Sequence, residues 1–174
     1  MKQDDVDDQS LVKSYRRGDL ASFDRLVVRH QDRLFRLARA WLSDETLASD
    51  ATQEVFMRAM TGLRKFQFRA QPFSWLYQTL RNVCHEMNRG DSPQLYTERA
   101  DSHPGPYEST ALSHDTARMQ ALIQDLPERQ REVLLLRVFE DLDVTTTANA
   151  MGCRPGTVKA LLSQARQNLK ALWS

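Results

Sequence analysis

The stretch DVTTTANAMGCRPGTVKALLSQARQNL, residues 143–169, decides the fold. Asp143 offers a carboxylate at the start of a short apolar-periodic segment, which predicts an N-cap and a helix over Thr145–Met151. Gly152 supplies the left-handed turn residue that ends it. Pro155 fits the first turn of a second helix, read as far as Trp173. Ala148, Met151, Val158, Leu161, Leu162 and Ala165 recur at three- and four-residue spacing and are expected to face inward. Lys159, Ala160, Ser163, Gln164 and Gln167 are left facing outward. A short helix, a glycine turn and a longer basic helix make a helix-turn-helix, whose second helix fits the DNA major groove. Any helical hairpin shows this periodicity. The glycine turn, Gly156-Thr157-Val158-Lys159 and the lack of any acid after Asp143 tip the balance toward nucleic acid.

Outward from this motif the chain stays helical. Met119, Leu122, Ile123 and Leu126 form one stripe, and Pro127 opens a helix carrying Val133, Leu134, Leu136 and Val138. Between Arg89 and His114 the texture changes to Gly, Ser, Pro and Thr, with little to bury, and a flexible linker is expected. Before it, Phe23, Leu26, Val27, Leu34, Leu37, Ala38 and Trp41 make one helical stripe, with Asp19 as N-cap. A second helix runs from near Asp44 to Gly62, and a third starts at Pro72 with Phe73, Leu76, Tyr77, Leu80, Val83 and Met87 inward. Leu63 to Gln71 has neither a helical nor an alternating period and is read as a loop. The expected fold is all-α: two small helical domains joined by a flexible linker, the second containing the helix-turn-helix. The boundaries are an acidic tail over 1–10, a first domain over 11–89, a linker over 90–114 and a second domain over 115–174.

With 41% hydrophobic and 27% charged residues, the 174-residue chain can build a core but has no run of the ~20 apolar residues that span a bilayer. The acidic N-terminus is unlike a secretory signal, so a cytoplasmic protein with two reduced thiols, Cys84 and Cys153, is expected. Net charge is only +1, but its distribution is uneven. Lys13 to Arg39 holds Lys13, Arg16, Arg17, Arg25, Arg29, Arg33, Arg36 and Arg39 against Asp19, Asp24 and Asp32. Segregated positive charge fits a phosphate-backbone binder, and equally a solvated helix face. No chemistry-bearing constellation suggests an enzyme. His30, His85, His103 and His114 lie at no metal-ligand spacing, Cys84-His85 stands alone, and no glycine-rich phosphate loop is present, so neither metal nor cofactor is expected.

Leu126-Pro127-Glu128-Arg129-Gln130-Arg131-Glu132-Val133-Leu134-Leu135-Leu136-Arg137, then Gly156-Thr157-Val158-Lys159 and Ala165-Arg166, resembles domain four of the extracytoplasmic-function (ECF) sigma factors. Arg17-Gly18-Asp19, Ala21-Ser22-Phe23, Gln53-Glu54-Val55-Phe56 and Phe73-Ser74-Trp75-Leu76-Tyr77 resemble domain two. The resemblance implies a non-enzymatic factor that binds core RNA polymerase, through its clamp helices and flap, and directs it to promoter DNA. It places polymerase binding on Asp50, Gln53 and Glu54. It places capture of an unpaired minus-10 base on the loop of Lys65, Phe66, Gln67, Phe68, Arg69 and Gln71. Aromatic faces with cations suit single-stranded DNA, although Phe66 can equally be core, and Trp75 is read as core. Minus-35 contacts fall to Arg154, Lys159, Ala160, Ser163, Gln164 and Arg166, with both arginines on phosphates.

Two departures from the family pattern stand out. Ala160-Leu161 and Ser163-Gln164 replace the family's usual residues, so the minus-35 preference is this chain's own. The segment Thr46-Leu47-Ala48-Ser49-Asp50-Ala51-Thr52 carries one acid where the family has several. Phosphorylation of Thr52, or alternatively Ser49, would restore negative charge to that face; the other reading is that Thr52 simply packs. Control by a Ser/Thr kinase or by an anti-sigma factor both stay open. The rival functions are an autonomous helix-turn-helix regulator that needs no polymerase, and a protein-only helical adaptor. Gln164→Ala is expected to change preference at one minus-35 base pair, at a cost of about 1–3 kcal/mol for a bidentate contact to adenine. Lys159→Ala is expected to lower use of all promoters alike, as loss of a phosphate contact should. Transcription from a randomised minus-35 library separates the two patterns.

Overall fold

A computed structural model describes residues 6–42, 44–90 and 121–173, and all regular structure among them is helical. The expected linker lies almost entirely outside the described residues. Helix α1 (Asp8–Arg16) begins inside the stretch read as an acidic tail. Asp7 caps it by accepting from the Ser10 amide at 2.9 Å. Asp8 then turns inward, accepting from Arg29 at 2.8 Å and lying 2.7 Å from Nε2 of buried His30. Burial opposes ionisation of Asp8, but hydrogen bonds and charge from His30 and Arg29 outweigh it and hold its pKa below the ordinary value. The tail is therefore partly a docked helix, because a carboxylate 22 residues from its partner has somewhere to go.

Helices α2 (Leu20–Trp41) and α4 (Pro72–Arg89) follow the predicted stripes, and α3 (Glu45–Gly62) forms where a second helix was expected, burying Ala48, Ala51, Thr52, Val55 and Ala59. Asp44 caps α3 through the Leu47 amide at 2.9 Å, and Pro72 sits in the first turn of α4. Gly90, in the left-handed region at φ 73°, ends α4. The four helices bury Leu11, Tyr15, Leu26, Leu34, Leu37, Val55, Leu63, Leu76, Tyr77 and Leu80 at 1% exposure or less, so they share one apolar core. A short 3₁₀ turn, Leu63–Lys65, leads from α3 into the loop.

Residues 121–124 are helical, and α5 (Glu128–Leu134) follows Pro127. The expected continuation through Val138 departs from an α-helix: Leu135–Phe139 forms a π turn, with the Glu140 amide donating to the Leu135 carbonyl at 3.0 Å. Helices α6 (Val144–Met151) and α7 (Pro155–Trp173) form the helix-turn-helix. Asp143 accepts from the Thr145 and Thr146 amides at 2.8 and 2.9 Å, and Gly152 takes φ 62° at the turn. Ala148, Met151, Val158 and Ala165 are buried, and Leu161 and Leu162 partly so.

The halves are in contact. Glu132 of α5 is fully buried and accepts from Arg129 at 2.6 Å, from Arg81 of α4 at 3.2 Å and from the Tyr77 hydroxyl at 3.3 Å. Burial is the largest influence on Glu132 and raises its pKa against the two arginines. Burial, then the charge of Glu132, pushes Tyr77 well above its ordinary value. Arg81 and Arg129 also donate to the Met151 carbonyl, at 3.3 and 3.1 Å, at the negative end of α6.

Asp143→Ala removes the acceptor for two otherwise unpaired amides and is expected to cost about 1 kcal/mol. Hydrogen bonds from Thr146 hold the Asp143 pKa below 3.8. The cap therefore contributes fully above the unfolded value and is lost as pH falls through the folded one. Thermal melts at descending pH should show the wild type and Asp143→Ala converging in acid.

Candidate nucleic-acid and polymerase-binding surfaces

The exposed face of α7 carries Arg154, Lys159, Ala160, Ser163, Gln164 and Arg166, all open to solvent. They start from the turn after α6, which fixes how the helix projects. Cys153, in that turn, is a free thiol, as is buried Cys84, whose burial pushes its pKa up to about 12.

On α3 the inward stripe is Ala48, Ala51, Thr52, Val55 and Ala59. The opposite face exposes Asp50 and Gln53, and with them Met57 and Met60 at 53% and 51% exposure. The two methionines, to which the sequence reading assigns no role, stand seven residues beyond Asp50 and Gln53 and fall on the same face at 3.6 residues per turn. Glu54 lies at its edge and accepts from Arg58 at 2.7 Å, while Arg58 also grips Glu86 at 2.7 Å. The hydrogen bond from Arg58 is the main reason the Glu86 pKa is lowered. The outward charge of the face thus rests chiefly on Asp50.

Thr52 does not share that face. It is 8% exposed, and its hydroxyl donates to the Ala48 carbonyl at 2.8 Å. A phosphate there would have to enter the apolar core, so of the two readings of Thr52 the structure has the one in which it packs. A 100° rotation per residue puts Thr52 beside Ala48 and Val55, and Ser49 is half-buried at the boundary.

The loop from Lys65 to Gln71 divides its side chains. Phe66 is 8% exposed and belongs to the core, with its carbonyl accepting from Arg16 at 3.1 Å. Phe68 packs edge-on against Phe66, ring centres 5.0 Å apart, and has the unusual positive φ of 54°. Lys65, Gln67, Arg69 and Gln71 are exposed. An open cleft of about 390 Å³ lies beside them, lined by Gly62, Lys65, Gln67, Arg69, Trp75 and Gln78 among others. Phe66 also lines it while Phe68 is outside it, and the half-buried Trp75 adds an aromatic wall that the loop itself does not supply. Gly62 allows this: a Cβ there would stand 2.4 and 2.5 Å from indole carbons of Trp75. Only a residue without a side chain lets the ring lie against α3. The glycine ending a helix was the available signal, but nothing local ties it to a tryptophan in the next helix.

Among the described residues no group of histidine, cysteine or carboxylate side chains could hold a metal, and no helix is long and apolar enough to cross a membrane.

Residues 26–92 match the family described as Sigma-70 region 2, and residues 116–169 match Sigma-70, region 4. The chain is 32% identical to the RNA polymerase sigma-H factor of Pseudomonas aeruginosa, over 95% of this chain and 93% of that one. The chain belongs to the ECF sigma-factor family. The ECF RNA polymerase sigma factor SigM of Mycobacterium tuberculosis is 30% identical over 95% of this chain and 84% of its own. Two solved structures share the fold. CnrH in complex with the cytosolic domain of CnrY has a TM-score of 0.75 at 24% identity, covering 95% of this chain and 96% of that one. The Bartonella quintana sigma factor RpoE, in complex with the anti-sigma factor NepR, has a TM-score of 0.66 at 25% identity, covering 87% and 96%. This sigma factor directs transcription.

Gly62→Ala is expected to push the Trp75 indole off α3 and narrow the cleft, with a shift in tryptophan emission. In transcription assays it should impair promoter opening more than polymerase binding, since the α3 face is on the opposite side of the residues it disturbs.

Proposed function

We propose that this sigma factor lends promoter specificity to core RNA polymerase through three separate surfaces. The exposed face of α3, with Asp50, Gln53, Met57 and Met60 and Glu54 at its edge, docks on the polymerase clamp helices. The cleft beside Trp75, lined by Lys65, Phe66, Gln67 and Arg69 with Phe68 and Gln71 in the same loop, takes an unpaired base of the minus-10 element. Helix α7 reads the minus-35 duplex through Lys159, Ala160, Ser163 and Gln164, with Arg154 and Arg166 on phosphates. The division into a domain over 11–89, a linker over 90–114 and a domain over 115–174 follows, the second domain also meeting the flap. The observation that carries the reading is the pairing, on one half of the chain, of an acidic and apolar helix face with a cation-rimmed aromatic cleft. Exposed methionines suit a protein partner, and cations around an aromatic wall suit a single strand.

Control is best assigned to a protein that covers α3, in the manner of an anti-sigma factor. The Bartonella quintana neighbour is itself held by one. A kinase acting on Thr52 would first have to unwind α3, since the hydroxyl is buried and bonded within the helix. Ser49, half-buried at the edge of the face, is the more accessible acceptor.

The deciding experiment reconstitutes the unmodified chain with core polymerase and maps transcript 5′ ends across a genome. Full activity without phosphorylation is expected, unchanged by Thr52→Ala. Asp50→Lys is expected to weaken polymerase binding about tenfold, equivalent to ~1.4 kcal/mol. Silence of the unmodified chain, restored by a kinase, would reverse the assignment of control. Tight duplex binding by the free chain at physiological salt would instead favour an autonomous regulator, because so small a helix-turn-helix makes few phosphate contacts alone.

A further inference from the structure

We propose that helix α1 is part of the single-stranded DNA path, with Lys13 and Arg16 holding backbone phosphate next to the base seated in the cleft. This rests on the reading of the cleft given above and adds residues well before the loop that forms it.

The geometry begins with a stripe. Gln9, Lys13 and Arg16 are spaced four and three apart, so they lie on one face of α1. That face runs along the loop. The Gln9 amide reaches Gln71 at 3.5 Å, Lys13 Nζ stands 5.5 Å from the Phe68 ring centre, and Arg16 stands 5.6 Å from it. Arg16 also donates to the Phe66 carbonyl. The helix therefore flanks the loop from one end to the other. On the loop's other side Lys65 and Arg69 line the cleft, and Arg64 lies over the Tyr15 ring at 5.1 Å, joining the two groups of cations.

Among the described residues these cations form no close ion pair, and Lys13 feels Asp7 only through longer-range charge. Among the described residues, no carboxylate lies within ion-pair distance of Lys13, Arg16, Arg64, Lys65 or Arg69, whereas Arg29, Arg33, Arg39 and Arg58 all have one. The Asp7 carboxylate accepts from the Ser10 amide and hydroxyl and acts on Lys13 by charge alone. A guanidinium has five donors, so Arg16 can hold the Phe66 carbonyl and still offer a fork to phosphate. Two exposed cations, Lys65 and Arg69, line the aromatic-walled cleft, and Lys13, Arg16 and Arg64 continue the positive charge across the loop onto α1, which matches a polyanion whose bases stack, single-stranded nucleic acid. The contact with Phe68 has a second effect. Two cations over its ring hold a bulky residue at a φ that such residues rarely adopt, so α1 also fixes the loop's shape.

The test uses holoenzyme reconstituted from the full chain and a fluorescent single strand selected from a random pool on the wild-type holoenzyme. Each phosphate contact to a single strand contributes ~0.7 to the slope of log affinity against log salt. Lys13→Gln with Arg16→Gln should therefore lower that slope by about 1.4 and weaken binding at low salt. Lys13→Arg with Arg16→Lys, which keeps both charges, should retain the slope. A lowered affinity with an unchanged slope would show that α1 merely supports the loop, and would overturn the proposal. Lys13→Glu alone guards against misfolding, because Lys13 is exposed; it should weaken binding further, and no change would likewise overturn the proposal. Trp75→Ala separates the two levels. If it leaves strand binding intact, the cleft reading itself fails. If it abolishes binding while the α1 variants keep the full slope, only the role of α1 fails.

Discussion

One buried carboxylate joins the two halves of this molecule. Glu132 has no contact with water, yet it sits among three donors drawn from α4 and α5. Removing a charge from water costs several kcal/mol, offset only when every lone pair finds a donor. Arg129 donates from within α5, but Tyr77 and Arg81 supply their donors only when α5 lies against α4. The same two arginines reach the Met151 carbonyl, so the position of Glu132 also sets that of α6, and through the Gly152 turn that of α7. The raised pKa of Glu132 indicates that burial is only partly compensated. The cluster therefore contributes definition of geometry more than stability.

The rest of the seam is of the same kind. Arg33 pairs with Glu140 while its guanidinium lies over Phe73 at 3.6 Å. Gln78 donates to the Asn149 carbonyl at 2.5 Å, Arg131 to the Ala40 carbonyl at 3.3 Å, and His85 stands 3.2 Å from Glu128. Each contact exchanges a hydration shell for a protein partner, and such exchanges contribute about 1 kcal/mol or less apiece. A polar seam of this type specifies orientation and can be given up for another polar partner, whereas the apolar core of each half cannot.

The sequence made local structure legible and long-range structure obscure, for a physical reason. Asp44, Asp143, Gly152 and Pro155 act within a few residues of themselves, so caps, turns and the whole helix-turn-helix could be read directly. The inward stripes of α2 and α4 followed from their period. What failed depended on partners far along the chain. Asp8 joins α1 because of His30, and Trp75 becomes a cleft wall because of Gly62. Thr52 shows a different failure. Its polarity suggested an outward position, but a threonine can satisfy its hydroxyl on the carbonyl four residues back and pack as an aliphatic residue. The π turn at Leu135–Phe139 left no periodic trace, because a single widened turn shifts the phase of only the few residues after it.

The closed seam leaves the proposed working surfaces open. The outward faces of α3 and α7 are both exposed while Glu132 is buried. Gln78 is the one residue that belongs to both the seam and the cleft: it lines the cavity beside Trp75 and donates to the backbone of α6. A base entering the cleft offers hydrogen-bonding edges to the side chain that now tethers α6. Binding of a strand and release of the second half therefore compete for one amide. The coupling is modest, since a single neutral hydrogen bond is at stake, but its direction is set by geometry. On the proposed reading, a base in the cleft would compete with the Asn149 carbonyl for the Gln78 amide and so loosen the seam, as recognition of two separate promoter elements by one chain requires.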